Sequence, residues 1–434
     1  MAMNRDRADR LRGFGISEGI AKLTDECASG LSGSFAYLAE ICEANQYKVL
    51  DAFAKNRLSD THFGFATGYG YDDPGREITE RIFADVFGTE AALVRTQIVN
   101  GTHAISTVFS GLLRPGEKLL YCTGAPYDSL WSTIGLKDEG AGQGTLAEFD
   151  IGYSQVDLTP EGTFDFPAIE TALTDPKVKM AAIQRATGYS DRSAMTIEKI
   201  SIWAEFVKDL RPDIVLMADN CYGEFLETQE PSEVGLDIIA GSLIKNPGGG
   251  LALSGGYIAG RQDLVEKCSY RLTCPGIGGE CGLTFGQTRA MLQGLFIAPH
   301  TVTDAVMGAM LCGAVFERLG FKVFPGPGDA RSDIVQAVTL GSPEALVAFC
   351  RAIQAVSPVD AFVIPEPWRM PGYKDEVIMA SGAFVTGSSI ELSADGPMRP
   401  PYIAYFQGGL TYEHAKLGVM SAAQRLIASE LAAI

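Results

Sequence analysis

Five apolar residues in a row, Ile214-Val215-Leu216-Met217-Ala218, end abruptly at Asp219. Such a run reads as a strand buried on both faces, the kind found inside a parallel sheet covered by helices. A second apolar run, Leu236 to Ile239, leads into Gly241-Ser242-Leu243-Ile244-Lys245-Asn246-Pro247-Gly248-Gly249-Gly250. A carboxylate therefore closes one buried strand. Twenty-six positions later a lysine stands between a second strand and a glycine-rich turn. In open α/β sheets, ligands bind at the C-terminal edge of the strands.

The rest of the first two thirds of the chain keeps the same rhythm. Strands are expected at 91–95, 117–122, 151–156 and 178–183, with helices at 76–87, 104–113, 127–136, 166–173 and 197–210. Regular strand–helix alternation argues for a mainly parallel central sheet with helices on both faces. After 260 the pattern changes. Residues 284–319 read as helix. Strands at 334–340, 376–380, 389–393 and 402–406, with helices at 344–355 and 412–431, then describe a smaller α+β C-terminal domain. Apolar positions at helical spacing over 18–56 precede the sheet. The expected division is a helical arm over 1–60, a large α/β domain over 61–285, and an interdomain helix with the small domain over 286–434.

Composition narrows the partners. A net charge of −18 over 434 residues argues against nucleic acid and anionic membrane, which both require a basic face. No run reaches the ~18 consecutive apolar residues of a spanning helix. The charged stretch Met1 to Gly13 lacks the apolar centre of a signal peptide. Nine scattered cysteines, with no Cys-x-x-Cys pair, suit a reducing cytoplasm. Four histidines, none paired at helical spacing, point to no metal.

A lysine amine can hold an aldehyde as a Schiff base, and an aspartate can keep a pyridine nitrogen protonated. Lys245 and Asp219 in this order suit pyridoxal 5′-phosphate (PLP), with the Ser242 hydroxyl available to its phosphate. Taken singly, each residue has a plainer explanation. A lysine before Asn-Pro-Gly-Gly is an ordinary turn lysine, and an aspartate at a strand end is often a helix cap. Gly101-Thr102-His103 opens an apolar helix, where free N–H groups and the helix dipole favour an anion. A plain Asn-Gly turn with a threonine cap explains the same residues. The glycine- and aromatic-rich stretch 61–76, with Tyr69 and Tyr71, is either a surface loop or an arm that carries tyrosines into a site.

Val99-Asn-Gly-Thr-His-Ala-Ile105, Ala218-Asp-Asn220 and the 241–250 stretch resemble PLP-dependent enzymes of fold type I, the aspartate aminotransferase-like PLP-dependent transferase fold. They are most similar to the methionine γ-lyase-like, or aluminium-resistance protein, family, which is related to the cystathionine β- and γ-lyases. The likeness extends through Gly294-Leu-Phe-Ile-Ala-Pro-His300 and Gln407-Gly-Gly-Leu-Thr-Tyr-Glu-His414. It implies that Lys245 carries the cofactor and that Asp219 pairs with its ring nitrogen. Gly101, Thr102 and Ser242, with His103 beside them, would line the phosphate site, and Tyr127 would stack on the ring. Arg399 is the first candidate for a substrate carboxylate, since a guanidinium fork suits it; Arg185 and Arg192 compete for that role. Tyr69 and Tyr71 lie where related lyases complete a neighbouring subunit's phosphate site, although the Tyr-x-Arg pattern of those lyases is absent. The implied activity is β- or γ-elimination on a sulfur-containing amino acid such as methionine, cystathionine or cysteine, by a homodimer or homotetramer. The alternative is another PLP reaction of a biosynthetic pathway: β/γ-substitution, transamination or decarboxylation.

Overall fold

The computed structural model describes residues 2–136, 142–189, 192–370 and 375–432. In chain order the elements begin with α1 (Ala2–Gly13), α2 (Glu18–Gly30), α3 (Ser32–Lys55), α4 (Pro74–Val86), β1 (Ala91–Arg95) and α5 (Gly101–Leu112). They continue with β2 (Lys118–Tyr121), α6 (Asp128–Ile134), β3 (Gly152–Gln155), α7 (Phe166–Leu173), β4 (Val178–Gln184) and α8 (Ile197–Leu210). Next come β5 (Val215–Asp219), β6 (Ile238–Ser242), β7 (Gly256–Gly260), α9 (Gln262–Leu272) and α10 (Thr288–Arg318). The chain finishes with β8 (Lys322–Phe324), β9 (Val335–Thr339), α11 (Pro343–Gln354), β10 (Val377–Ser381), β11 (Ser393–Pro397), β12 (Ile403–Gln407) and α12 (Tyr412–Ala428).

The chain forms two compact units. One joins Met1–Glu43 to Pro299–Ile434; the other is Ala44–Ala298. The breaks fall after 43 and 298, where the sequence suggested 60 and 285. The arm helices α1 and α2 thus belong with the C-terminal part of the chain. Ser17 N–H donates to Gln424 Oε1 (2.9 Å), and Asp25 accepts from both Arg7 and Lys416.

The larger unit holds a seven-stranded sheet in the order β1-β7-β6-β5-β4-β2-β3. Strands β6, β5, β4, β2 and β3 run parallel, and β7 runs antiparallel to both its neighbours. This is the α/β architecture with a mostly parallel central sheet that the alternation predicts. Beneath it lies a core that includes Leu93, Phe109, Leu119, Met180, Met217 and Ile238. Each such fully buried side chain contributes roughly 1.5–3 kcal/mol by leaving water. Helix starts follow local chemistry. Asp73 caps α4 ahead of Pro74, and Thr196 caps α8.

The smaller unit holds the antiparallel sheet β10-β11-β12-β9-β8. The strand expected at 389–393 is corrected to Ser393–Pro397. Asp395 and Gly396 disguise it, yet the whole strand is buried, and Gln407 donates a hydrogen bond to Asp395 (3.3 Å). Helix α10 has the length and hydropathy of a membrane span, but 67% of its apolar window is buried in the protein, as in a core helix.

Candidate active site

Parallel strands bring their C-terminal ends to one edge of the larger unit. There Asp219 closes β5 and is paired in register with Gln184 of β4 and Ala240 of β6. Ser242 closes β6, and Lys245 follows at the start of a single 3-10 turn, Asn246–Gly248. The turn admits no side chain at its last residue: a Cβ on Gly248 would lie 1.8 Å from the Leu243 carbonyl oxygen. Gly249 has φ +54, the left-handed region that favours glycine, and a Cβ there would lie 2.4 Å from Gly294 O.

Lys245 and Asp219 are close enough to influence each other's charge. Asp219 is buried, and its Oδ1 accepts from the Cys221 N–H (3.1 Å). Burial pushes its carboxyl above the usual range; Lys245, Cys221 and Arg192 pull it back only in part. The Lys245 ammonium lies 3.9 Å from the centre of the Tyr222 ring, a cation–π contact. Burial opposes the charge on Lys245, but the acidic groups around it, Cys221, Tyr222, Asp219 and Glu224, outweigh burial and raise its pKa. Tyr222 itself has φ +70, unusual for a tyrosine. The turn after β5 therefore holds this ring against the lysine at a conformational cost.

Across from this pair, α5 begins with Asn100, whose Oδ1 accepts from the His103 N–H (2.8 Å). Gly101 lets the helix start approach β6. A Cβ there would meet Cys221 Sγ at 3.0 Å and Ser242 Cβ at 3.4 Å. The Thr102 and Ser129 hydroxyls are hydrogen bonded at 2.8 Å, which ties α5 to the start of α6. Tyr127 stands just before α6, with its ring 5.8 Å from that of Tyr189. Gly101, Thr102, Ser242, Lys245, Asp219 and Tyr127 thus all lie at the same sheet edge. His103 turns its ring back along the chain, where Nδ1 accepts from the Val99 N–H (3.2 Å).

The three arginines part company. Arg185 is fully buried and is engaged by Asn220 (3.0 Å), Glu230 (3.1 Å) and Glu227 (3.2 Å) of its own chain. Arg192 is half-buried near Asp219 and donates to the carbonyls of Ser193, Gln184 and Ala186. Arg399 belongs to the other unit and pairs with Asp375 (2.8 Å). Tyr69 and Tyr71 are 78% and 61% exposed, with ring centres 6.0 Å apart. Their loop is nonetheless anchored. The Gly282 N–H donates to Tyr69 O (3.0 Å), and the buried Arg76 donates to Gly70 O and to Gly282 O (3.2 Å). Arg95 holds the same segment through the carbonyls of Cys281 (2.6 Å) and Gly279 (2.8 Å), while Glu80 holds Arg95.

Tyr222, Cys221, Ser129 and Glu224 also belong to this neighbourhood, although the sequence reading assigned them no role. The one available signal was position, since Asn-Cys-Tyr-Gly-Glu follows directly on Asp219.

The methionine γ-lyase family matches residues 20–427. The chain belongs to the methionine γ-lyase family. Within reach of that family, the uncharacterised protein YnbB of Bacillus subtilis (strain 168) is 49% identical over 412 residues, covering 95% of this chain and 97% of its own. A solved structure from Listeria monocytogenes, described as a candidate cystathionine β-lyase involved in aluminium resistance, is 52% identical. It superimposes with a TM-score of 0.91 over 93% of this chain and 99% of its own. More distantly, the PLP-dependent protein YhfS of Escherichia coli is 17% identical, with a TM-score of 0.60 over 90% of this chain and 97% of its own. That likeness concerns the fold alone, which is fold type I. The site of this methionine γ-lyase family member fits PLP by its donor set. It combines a lysine, a buried carboxyl at a strand end, and hydroxyls grouped at a helix start.

Proposed function

We propose that this chain is a PLP-dependent carbon–sulfur lyase that eliminates a thiol from a sulfur-containing amino acid. The observation that carries the reading is the buried Asp219 beside Lys245 at the edge of the sheet, in a chain of the methionine γ-lyase family. The Listeria relative's description as a candidate cystathionine β-lyase supports the same reaction class.

Bound here, PLP would supply an electron sink for the substrate's Cα. In this reading Lys245 Nζ would hold the cofactor's aldehyde and, as a free amine, would be the base for the substrate's Cα proton. Asp219 would keep the ring nitrogen protonated. The N–H groups of Gly101 and Thr102, with the hydroxyls of Thr102 and Ser242, would receive the phosphate, and His103 would stabilise the loop that presents them. Tyr127 would stack on the ring, and Tyr222 would keep the lysine aimed. Arg192, beside Asp219, is the carboxylate clamp that this unit offers; Arg399 is its rival from the smaller unit. Product analysis with a panel of sulfur amino acids tests the reading. Keto acid, ammonia and thiol in equal amounts are expected. Carbon dioxide, a transferred amine or a substituted product would replace elimination with decarboxylation, transamination or β/γ-substitution.

The proposal includes a homodimer or homotetramer with shared sites, in which Tyr69 and Tyr71 reach a neighbouring phosphate pocket. Their exposure on an anchored loop supports it, and two-fold symmetry gives two equivalent sites for one interface. Mixing Lys245→Ala subunits with subunits altered at both tyrosines should restore part of the activity. Heterodimers that form and stay inactive, from tyrosine variants that bind PLP normally, would return this segment to an ordinary loop.

A further inference from the structure

Tyr222 holds a backbone conformation that a side chain of its size rarely adopts. Its φ is +70, in the left-handed region. For a bulky residue such an angle persists only where the surroundings over-determine it, and such strain clusters at functional sites. Here the turn is fixed from both sides. Before the tyrosine, the Asn220 N–H donates to the Ala240 carbonyl of β6 (3.0 Å), and the Cys221 N–H donates to Asp219 Oδ1 (3.1 Å). After it, the Gly223 N–H closes back on the Asn220 carbonyl (2.9 Å). A Cβ on Gly223 would lie 2.2 Å from Cδ of the enclosed Arg185, which itself donates to Asn220 Oδ1 (3.0 Å). Two residues further on, the Phe225 N–H donates to Glu230 Oε1 (2.9 Å).

What this turn delivers is the face of an aromatic ring. The Lys245 Nζ lies 3.9 Å from the centre of the Tyr222 ring. The Asn246 side chain donates to the Glu224 carbonyl (3.0 Å), so the turn that carries the lysine is tied to the turn that carries the ring. Tyr222 is half-buried, and cation–π contacts strengthen as water is withdrawn from them. The attraction comes from the ring's quadrupole acting on a positive charge. A neutral amine gains little from it, and the tyrosine hydroxyl is not needed for it.

We propose that Tyr222 is the resting place of the Lys245 ammonium, and that its ring favours the lysine in the state reached once it has taken the substrate's Cα proton. The inference deepens the reading of Lys245 as that base and rests on it. In the step, the proton passes from Cα to Nζ, the bonding pair stays with the substrate, and the neutral amine becomes an ammonium. The ring attracts the lysine only after the transfer, so it lowers the barrier to proton removal rather than strengthening substrate binding. Tyr222 acts through Lys245 and is a positioning residue.

The test separates the ring from its bulk. Leucine fills much of the same space without a π face, whereas phenylalanine keeps the face and loses only the hydroxyl. The first readout is the NMR signal of the Lys245 ε-methylene in the full chain without cofactor, with lysine ε-carbons labelled with carbon-13 and the signal assigned by its loss in Lys245→Ala. It should be shifted upfield by the ring in the wild type and in Tyr222→Phe, and stand at an ordinary lysine position in Tyr222→Leu. The second readout is loss of deuterium, at fixed pH, from the Cα-deuterated amino acid that the loaded wild type exchanges fastest. Exchange should fall roughly tenfold in Tyr222→Leu and be largely kept in Tyr222→Phe. Phenylalanines of increasing fluorination at position 222, which keep the shape and drain the π face, should slow exchange stepwise. A Lys245 signal that is the same in the wild type and in Tyr222→Leu, or exchange that is flat across the fluorinated series, overturns the proposal. If Tyr222→Leu does not fold, the fluorinated series decides: a stepwise fall supports the proposal, and a flat response overturns it. Borohydride labelling judges the underlying reading separately. Label on Lys245 with an unshifted signal overturns the resting place alone, and label on another lysine overturns both.

Discussion

Lys245→Ala is expected to lose covalent retention of PLP and to lower the elimination rate by at least about a thousandfold, since one residue serves as both anchor and base. The substitution removes the ammonium held over the Tyr222 ring, whose charge also acts on Asp219. It leaves the α5 start intact, with its Asn100 cap and the Thr102–Ser129 pair. The variant should therefore still bind PLP reversibly, and added amines should restore part of the proton transfer. Borohydride reduction of the loaded wild type, followed by peptide mapping, should mark Lys245. A mark on any other lysine would falsify the assignment. Removing the cation also alters its neighbour. Lys245 is the strongest pull holding the Asp219 carboxyl down against burial, so Asp219 should titrate higher in the variant than in the wild type.

Asp219→Ala is expected to slow exchange of the substrate's Cα proton by about a hundredfold or more, which corresponds to the ~3 kcal/mol typical of one aimed electrostatic group. Asp219→Asn separates charge from shape, because its side-chain oxygen can still accept from the Cys221 N–H that Asp219 binds at 3.1 Å. Both variants should lose exchange, while only the alanine should also loosen the turn that carries Tyr222. Exchange followed by loss of deuterium from a labelled amino acid distinguishes them. Wild-type exchange in Asp219→Ala would remove the ring-nitrogen role altogether.

Much of the larger unit could be read from local pattern. Apolar runs such as 214–218 become buried parallel strands because only a helix-covered sheet can hide both of their faces. The Asn-Gly-Thr start of α5 and the glycines after Lys245 follow from backbone chemistry, which acts over a few residues. That is why Asp219, Ser242, Lys245, Gly101 and Thr102 could be singled out and why they meet at one edge of the sheet.

Other features depend on contacts distant in sequence. The connection from Ser242 to Gly256 is long enough for either strand direction, and its packing made β7 antiparallel. That reversal pairs Gly241 with Tyr257 and brings the Tyr257 hydroxyl to Glu224, 33 residues away. Arg185 reads in sequence like an available guanidinium. Its fate was decided by Glu227 and Glu230, which enclose it in the core. The sequence alone determined the periodicity, the caps and the glycine turn, because these are settled by neighbours along the chain. Only the tertiary structure decided which acids are buried, which arginine is enclosed and which ring lies against Lys245, because burial and charge pairing are set by strand register.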